Sequence, residues 1–224
     1  LVASFVGLLL CIQYVALTIW TGGETLSSGW ARLTDSSSGD GSIAIGYSLI
    51  AIAIVLFALL GYRWIIELNR WIAPFMAVLM VLSVIALWKT FDFNYAGDPE
   101  VYALGTLGPT WLLAALTCGA AGPISFVTQT GDWSRYISET TTSQKELVRN
   151  TFIAMFVGLT IPTVFGAFVA VAAFDENSFA QGFVANSPTW LLLPLLLIGL
   201  VGSLGQGSIN LYSMGLDLDA ILPK

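Results

Sequence analysis

Two amide side chains near the C-terminus, Gln206 and Asn210, are four residues apart in an otherwise apolar stretch. On a helix they share one face, one turn apart. An amide inside a membrane is costly unless it is paired, so this spacing indicates a binding site or an interhelical clamp and fits both. Because an amide presents a donor and an acceptor together, the pair suits the edge of a heterocyclic base or a cyclic ureide.

A second group of polar residues follows a glycine–proline pair in CGAAGPISFVTQTGDW, residues 118–133. Proline removes a backbone donor and clashes with the preceding turn, so Gly122 and Pro123 predict a kink or a broken helix. Broken helices in transporters line cavities and bind substrate, whereas a kink relieved by neighbouring helices has no such role. Ser125 follows the pair, and Gln13, far upstream, is a further polar side chain that suits a lining or a clamping role.

The C-terminal apolar stretch also contains small residues that favour helix packing. Gly199, Gly202, Gly205 and Gly207 recur at spacings that make one smooth face. Because small faces let helices approach closely, we expect close helix–helix contacts along this stretch.

The overall composition excludes several kinds of chemistry. The chain has 224 residues, of which 56% are hydrophobic and 10% are charged, and its formal net charge is −6. An excess of acids argues against nucleic acid as a partner. The chain contains no histidine, which excludes a Ser-His-Asp triad, a Cys-His pair and any His-ligated metal. We therefore predict neither a metal site nor a cofactor.

Six stretches without Asp, Glu, Lys or Arg are long enough to cross the hydrocarbon core of a bilayer, which takes about 20 residues. Helices satisfy their own backbone hydrogen bonds, which lipid cannot do, so these stretches predict helices rather than strands. The predicted fold class is therefore all-α, a polytopic helix bundle in a lipid bilayer. The six predicted spans are approximately 2–21, 42–62, 71–88, 109–131, 151–174 and 188–216.

The distribution of basic residues predicts the orientation of these spans. The segments after spans two, four and six contain six Lys or Arg residues, whereas those after spans one, three and five contain two. Basic residues concentrate on the cytoplasmic side, so we expect the first span to run from inside to outside. The six are Arg63, Arg70, Arg135, Lys145, Arg149 and Lys224, and the two are Arg32 and Lys89.

The connection at residues 22–41 is rich in Gly, Ser and Thr and is predicted to be a flexible external loop. Glu24 lies in this predicted loop, whereas Glu67 and Asp217 lie near inner span ends. We therefore expect no carboxylate to be buried in the middle of the membrane, and we predict no intramembrane proton relay.

Two segments resemble motifs of a known family, the nucleobase–cation symporters of the purine–cytosine permease type. In that family a signature of Pro or Ala, Asp, an aromatic residue, Ser or Thr, Arg, and Tyr or Phe follows the sixth transmembrane helix. GDWSRY, residues 131–136, matches it with Gly131 in the first position. NLYSMGLDLDAILP, residues 210–223, resembles the family pattern N-x-x-S-x-G-x-D-L-x-A-L-x-P at the end of the eighth helix. The two motifs together, in the correct order, are a strong signal.

The resemblance implies that the six spans correspond to helices three to eight of a twelve-helix transporter with a LeuT-type inverted repeat. The chain would then be a single transmembrane region that is incomplete at both ends. It further implies a secondary active transporter of the plasma membrane or the bacterial inner membrane, which imports a nucleobase or related small heterocycle by alternating access. Its partners would be this substrate and a coupling cation, either a proton or sodium.

The resemblance also assigns roles to individual residues. Asn210 matches the substrate-binding asparagine of the eighth helix, and Gln206 takes the polar position one turn earlier. Phe126 fits the aromatic residue that stacks on the base, with Ser125 and the backbone of Gly122 nearby.

The third-helix aromatic residue of the family falls near Gln13 or Tyr14. Sodium-coupled members place Ser and Thr hydroxyls about five and six residues before the asparagine of the eighth helix. The chain has Gly205 and Leu204 there, which favours coupling to a proton.

Three alternative functions predict sequence features that differ from those of this chain. A membrane-embedded enzyme needs a buried carboxylate, a Ser-Lys dyad or a metal cluster within the spans, and the sequence shows none. A non-transporting structural membrane protein needs neither a broken helix nor polar amides. A LeuT-fold transporter of another small substrate, such as an amino acid, does not carry the two motifs. We therefore predict a permease and not an enzyme.

Overall fold

The computed structural model describes residues 2–37, 39–97, 99–134, 137, 142–173 and 178–222, and within these ranges it leaves undescribed the side chains of residues 101, 121, 123, 128, 132–134 and 198. Of the residues named above, Arg135, Tyr136, Pro223 and Lys224 lie outside the described ranges. Every regular element within those ranges is helical, which confirms the all-α prediction.

Eight α-helices occur within the described residues. They are α1 (Val2–Leu33), α2 (Asp40–Leu59), α3 (Tyr62–Leu87), α4 (Leu107–Gly119), α5 (Ser125–Ser134), α6 (Gln144–Ala172), α7 (Phe179–Asn186) and α8 (Thr189–Ile221). A π-helical turn, Ala120–Ile124, joins α4 to α5. Short 3₁₀ segments lie at Trp88–Thr90, Pro99–Val101 and Ala103–Gly105.

Several of these helices are long and apolar enough to cross a membrane. Within the described residues there are five, Val2–Leu33, Asp40–Leu59, Tyr62–Thr90, Gln144–Ala172 and Thr189–Ile221. The helix Leu107–Gly119, in the fourth predicted span, is also apolar but shorter. Since about 20 helical residues cross the hydrocarbon core, the chain is a polytopic helical membrane protein.

The chain divides into two compact units, which are unit 1 (Leu1–Phe91 and Ala167–Lys224) and unit 2 (Asp92–Gly166). In unit 1, α8 is the most enclosed of the long helices and packs against α1, α2 and α3. Around α8, the apolar core of unit 1 includes the buried side chains of Leu79, Leu191 and Leu195.

The glycines of α8 make the close contacts predicted for them, but toward different helices. A Cβ at Gly199 would lie 2.8 Å from Thr25 of α1, and a Cβ at Gly207 would overlap the side chain of Ile54 of α2. Gly205 faces α3. The expectation of one smooth face is therefore wrong, because α8 is surrounded by three helices rather than packed against one.

The prediction of a flexible loop over residues 22–41 is also wrong for most of that segment. α1 continues without interruption to Leu33, and α2 begins at Asp40. The part of the chain between the two helices is therefore only a short connection.

The small residues that suggested a loop are a packing surface of α1. Gly22 lies against Ser203 of α8, and a Cβ at Gly46 of α2 would lie 2.6 Å from the carbonyl oxygen of Gly23. Side chains at these positions would force the helices apart. Glycine therefore serves here to bring helix backbones together rather than to give the chain conformational freedom.

Unit 2 contains the interrupted helix. α4 ends at Gly119, the π-helical turn follows, and α5 begins at Ser125. The N–H of Ser125 donates to the carbonyl oxygen of Ala120, five residues back, instead of four. The predicted interruption at Gly122 and Pro123 is confirmed, and it takes the form of one widened turn.

Candidate functional site

Asn210 of α8 is fully buried, with 0% of its surface exposed. Its side-chain Nδ2 donates to the backbone oxygen of Gln206 at 2.8 Å. Its Oδ1 is also buried, and no donor within the described part of the chain reaches it. An unpaired buried acceptor costs roughly 1–3 kcal/mol, so this oxygen is a candidate acceptor for a ligand N–H.

An amide from α3 holds α8 close to Asn210. Asn69 Nδ2 donates to the backbone oxygen of Ile65 at 2.8 Å and approaches that of Gly205 at 3.5 Å. A Cβ at Gly205 would lie 2.8 Å from Asn69 Oδ1, so the amide occupies the space beside the glycine. Asn69 was not predicted as a site residue because it precedes the predicted third span, whereas α3 begins at Tyr62.

The other two candidates of unit 1 are exposed. Gln206 lies one turn before Asn210, yet its side chain is exposed while that of Asn210 is buried. The structure thus brings Asn210 to the backbone of Gln206 and not to its side-chain amide. Gln13 of α1 is exposed as well.

The candidates of unit 2 lie around the π-helical turn. Proline has no backbone N–H to donate, so Pro123 disturbs the carbonyl pairing of the preceding turn. Ser125 is buried, and its Oγ donates to the carbonyl oxygen of Gly122 at 2.9 Å. Phe126, the next residue, is half-buried.

Two residues of this segment, Gly122 and Gln129, are buried within unit 2. Gly122 is buried, and a Cβ there would lie 3.3 Å from Leu159 of α6. Gln129 is fully buried and shares a face of α5 with Ser125, four residues earlier. In the sequence, Gln129 is one of several polar residues of this segment. Its complete burial in the structure is what distinguishes it.

Glu24 is a buried carboxylate, although the sequence predicted that it lies in an external loop. It lies on α1 and is 8% exposed. Its Oε1 accepts from Trp20 Nε1 at 2.7 Å and from the hydroxyl of Tyr47 at 3.5 Å, and its Oε2 accepts from Ser178 Oγ. The expectation that Glu24 is a loop residue is wrong, because α1 extends beyond it. The sequence did contain a signal for the helix, since Trp20 lies four residues before Glu24 and residues with this spacing meet on one face of a helix.

The sequence-predicted residues belong to both units. Asn210, Gln206 and Gln13 lie in unit 1, and Gly122, Ser125 and Phe126 lie in unit 2. Packing of α8 among three helices holds Asn210, and the π-helical turn holds the residues of unit 2. Within the described ranges, no three His, Cys, Asp or Glu side chains converge into a group that could hold a metal ion.

A family model described as "permease for cytosine/purines, uracil, thiamine, allantoin" matches residues 1–224. No curated protein and no solved structure matches the chain significantly.

Proposed function

Because the chain belongs to the family of permeases for cytosine/purines, uracil, thiamine and allantoin, we propose that it imports a nucleobase or related heterocycle by cation symport. The transporter works by alternating access, has a LeuT-type inverted-repeat fold, and acts in the plasma membrane or the bacterial inner membrane. Its coupling cation is a proton rather than sodium, since Gly205 and Leu204 offer no side-chain oxygens.

One observation carries the assignment of the substrate site. The Oδ1 of Asn210 is a buried acceptor that no donor within the described residues satisfies. Heterocycles of this class carry ring N–H groups, and such a donor would remove the penalty of roughly 1–3 kcal/mol. Asn210 is therefore proposed to accept a hydrogen bond from the substrate.

The π-helical turn supports a second contact. π-helical turns occur frequently at functional sites, because the widened turn changes which side chains face a cavity. Phe126 is the second residue of α5 after the turn and is half-buried. Phe126 is proposed to stack on the ring of the substrate, with Ser125 and the backbone of Gly122 beside it. Gln206 and Gln13 are proposed as further polar contacts.

The test is equilibrium binding of radiolabelled cytosine, uracil, adenine and allantoin to the full-length protein. Asn210→Ala should lower the affinity for the bound base roughly 5- to 150-fold, which corresponds to the loss of about 1–3 kcal/mol. The matched control is Asn186→Ala, since the exposed Asn186 donates from Nδ2 to the backbone oxygen four residues back at 2.9 Å, as Asn210 does. The control should bind normally.

Two results contradict the proposal. If none of these heterocycles binds the full-length protein, the proposed substrate class is wrong. If Asn210→Ala binds as tightly as the unmutated protein, the amide is only an interhelical clamp.

A further inference from the structure

Glu24 is a titratable side chain that the proposed substrate site does not use. It is buried on α1, one turn after the exposed Trp20. No basic side chain in the described ranges lies within ion-pair distance of it. Arg32, two turns further along α1, donates instead to backbone carbonyl oxygens at the end of α7. An ionisable side chain buried in an apolar helix without a counter-ion is costly and indicates a functional role.

The hydrogen bonds of Glu24 divide between its two oxygens. Three donors surround the carboxylate. Trp20 Nε1 donates to Oε1, and the hydroxyl of Tyr47 lies 3.5 Å from the same oxygen. Ser178 Oγ donates to Oε2. All three donors are neutral. The carboxylate can therefore take up a proton without breaking an ion pair.

We propose that Glu24 binds the coupling proton of the transport cycle, on Oε2. This inference rests on the proposed function, because it names the group that carries the cation of that symport. An O–H bond of a hydronium ion breaks and a new O–H bond forms at Oε2, which leaves a neutral water molecule, and the hydroxyl of Ser178 turns from donating to accepting. A hydroxyl is both donor and acceptor, so the neutral carboxyl keeps this partner, and Trp20 keeps its bond to Oε1. The same O–H bond breaks when the proton is released.

Ser178 connects this proton to the rest of unit 1. It is the N-cap of α7, and its Oγ accepts from the backbone N–H of Gln181 at 3.5 Å. Oε2 of Glu24 therefore links α1 to the beginning of α7. When the carboxyl is neutral, the charge-assisted hydrogen bond becomes an ordinary one and is weaker. The charge of Glu24 thus changes how firmly α7 is held.

Other titratable groups near Glu24 can be identified from the helices packed against it. α2 contributes Tyr47. α8 faces this part of α1 with Gly199 and Ser203, which carry no charge. Asp175 and Glu176 precede Ser178 in the sequence and lie outside the described residues.

The first experiment measures coupling in the full-length protein reconstituted in liposomes. A 1:1 symporter driven by a gradient of one pH unit accumulates its substrate up to about tenfold. Glu24→Gln, which keeps the shape of the side chain, should abolish this accumulation and the substrate-induced uptake of protons. It should leave equilibrium binding of the base and exchange of internal for external base intact.

Glu67→Gln is the matched control. Glu67 of α3 also forms a Trp–Glu pair four residues apart, with Trp71 Nε1 3.1 Å from its Oε1. It is exposed, however, and lies 3.9 Å from Arg70. Because water already solvates this carboxylate, Glu67→Gln should accumulate substrate as the unmutated protein does.

A second measurement does not depend on the substrate. The infrared difference spectrum of the substrate-free protein between neutral and acidic pH should contain a protonated-carboxyl band that is absent from Glu24→Gln. Ser178→Ala, which leaves the carboxyl in place but removes a hydrogen-bond partner of it, should shift the frequency of this band. If Glu24→Gln does not fold, this shift alone decides the inference.

The outcomes separate the inference from the proposed function. If Glu24→Gln accumulates substrate with the same pH dependence as the unmutated protein, Glu24 is not the proton site. A sodium gradient that drives uptake in place of the pH gradient also overturns the inference. If no heterocycle binds while the carboxyl band behaves as expected, the proposed function fails and Glu24 remains a proton-binding residue. A carboxyl band unchanged in both variants overturns the inference itself.

Discussion

Three polar side chains of unit 1 lie between packed helices, and each is satisfied differently. Asn69 donates to backbone oxygens of α3 and approaches one of α8, which makes it a clamp. Glu24 receives hydrogen bonds from neutral groups on three elements. Asn210 keeps one oxygen that no described residue satisfies. Of these three side chains, Asn210 is the one with a buried polar atom that lacks a partner among the described residues, so it suits a ligand contact.

At the residue scale, we expect the ring of Phe126 rather than its volume to matter for binding. Stacking of a base on an aromatic side chain contributes roughly 1–3 kcal/mol, so Phe126→Ala should weaken substrate binding by roughly 5- to 150-fold. Phe126→Tyr and Phe126→Trp should retain part of the affinity because an aromatic face remains. The measurement is equilibrium binding to the full-length protein.

Val127 provides the control for this prediction. It follows Phe126 on α5 and is 69% exposed. Val127→Ala should therefore leave binding unchanged. If Phe126→Leu retains as much affinity as Phe126→Tyr, and only Phe126→Ala loses it, the site needs bulk and not a π face.

At the scale of elements, the contact between α1 and α2 depends on glycine. The backbones approach so closely that a Cβ at Gly46 would lie 2.6 Å from the carbonyl oxygen of Gly23. A backbone atom cannot move away as a flexible side chain can. The separation of the two helices is therefore determined by the absence of a side chain.

Gly46→Ala should destabilise the packing of α2 by about 1–3 kcal/mol, the usual penalty of overpacking. Gly41→Ala in the same helix is the matched control, because a Cβ at Gly41 meets nothing within 4 Å. Alanine favours a helix over glycine by about 1 kcal/mol, so the control should be neutral or stabilising. Thermal unfolding in detergent distinguishes them, and similar melting temperatures for the two variants would contradict the close contact.

A second prediction at this scale concerns α7. The guanidinium of Arg32 on α1 donates to the backbone oxygens of Val184 and Ser187, which lie at the C-terminal end of α7. A cation at this end also interacts favourably with the helix dipole. Arg32→Met should therefore loosen α7 by about 1–3 kcal/mol, seen as faster hydrogen exchange of residues 180–186.

Arg70→Met serves as the comparison for Arg32→Met. Arg70 is exposed and its ion pair with Glu67 spans 3.9 Å, so its loss should cost about 0–1 kcal/mol. Hydrogen exchange of α7 should not change in this variant. If Arg32→Met leaves exchange in α7 at the unmutated rate, the guanidinium does not hold the end of that helix.

At the scale of the whole molecule, the orientation in the membrane stays a prediction. The bias of six basic residues against two predicts that the N-terminal end of α1 lies in the cytoplasm. In a background without Cys11 and Cys118, the thiol of Ser36→Cys should react with an impermeant thiol reagent added outside intact cells. The thiol of Ser143→Cys should react only after the membrane is permeabilised. The reverse pattern would invert the topology.

The amino-acid sequence alone determined the membrane class, the all-α fold and the interruption of the fourth span. Each of these follows from local properties of the chain. Apolar runs must be helical in lipid because the backbone has no other hydrogen-bond partners there. Proline removes a backbone donor from its helix, so Gly122 and Pro123 indicated a kink or a break without any knowledge of neighbours. The structure gave this interruption the form of a π-helical turn. The motifs likewise indicated the family.

The tertiary structure decided which polar residues are buried. Gly22 and Gly23 in a polar segment suggested a loop, but the same residues form the packing surface of α1, because the meaning of a glycine depends on whether another backbone lies against it. Glu24 became a buried carboxylate only through that extension of α1 and through its contacts with α2 and Ser178. Gln206 and Asn210 have the spacing of a pair, yet the helices around α8 bury one and leave the other exposed. Spacing places residues on a face, and only the neighbouring helices determine what covers that face.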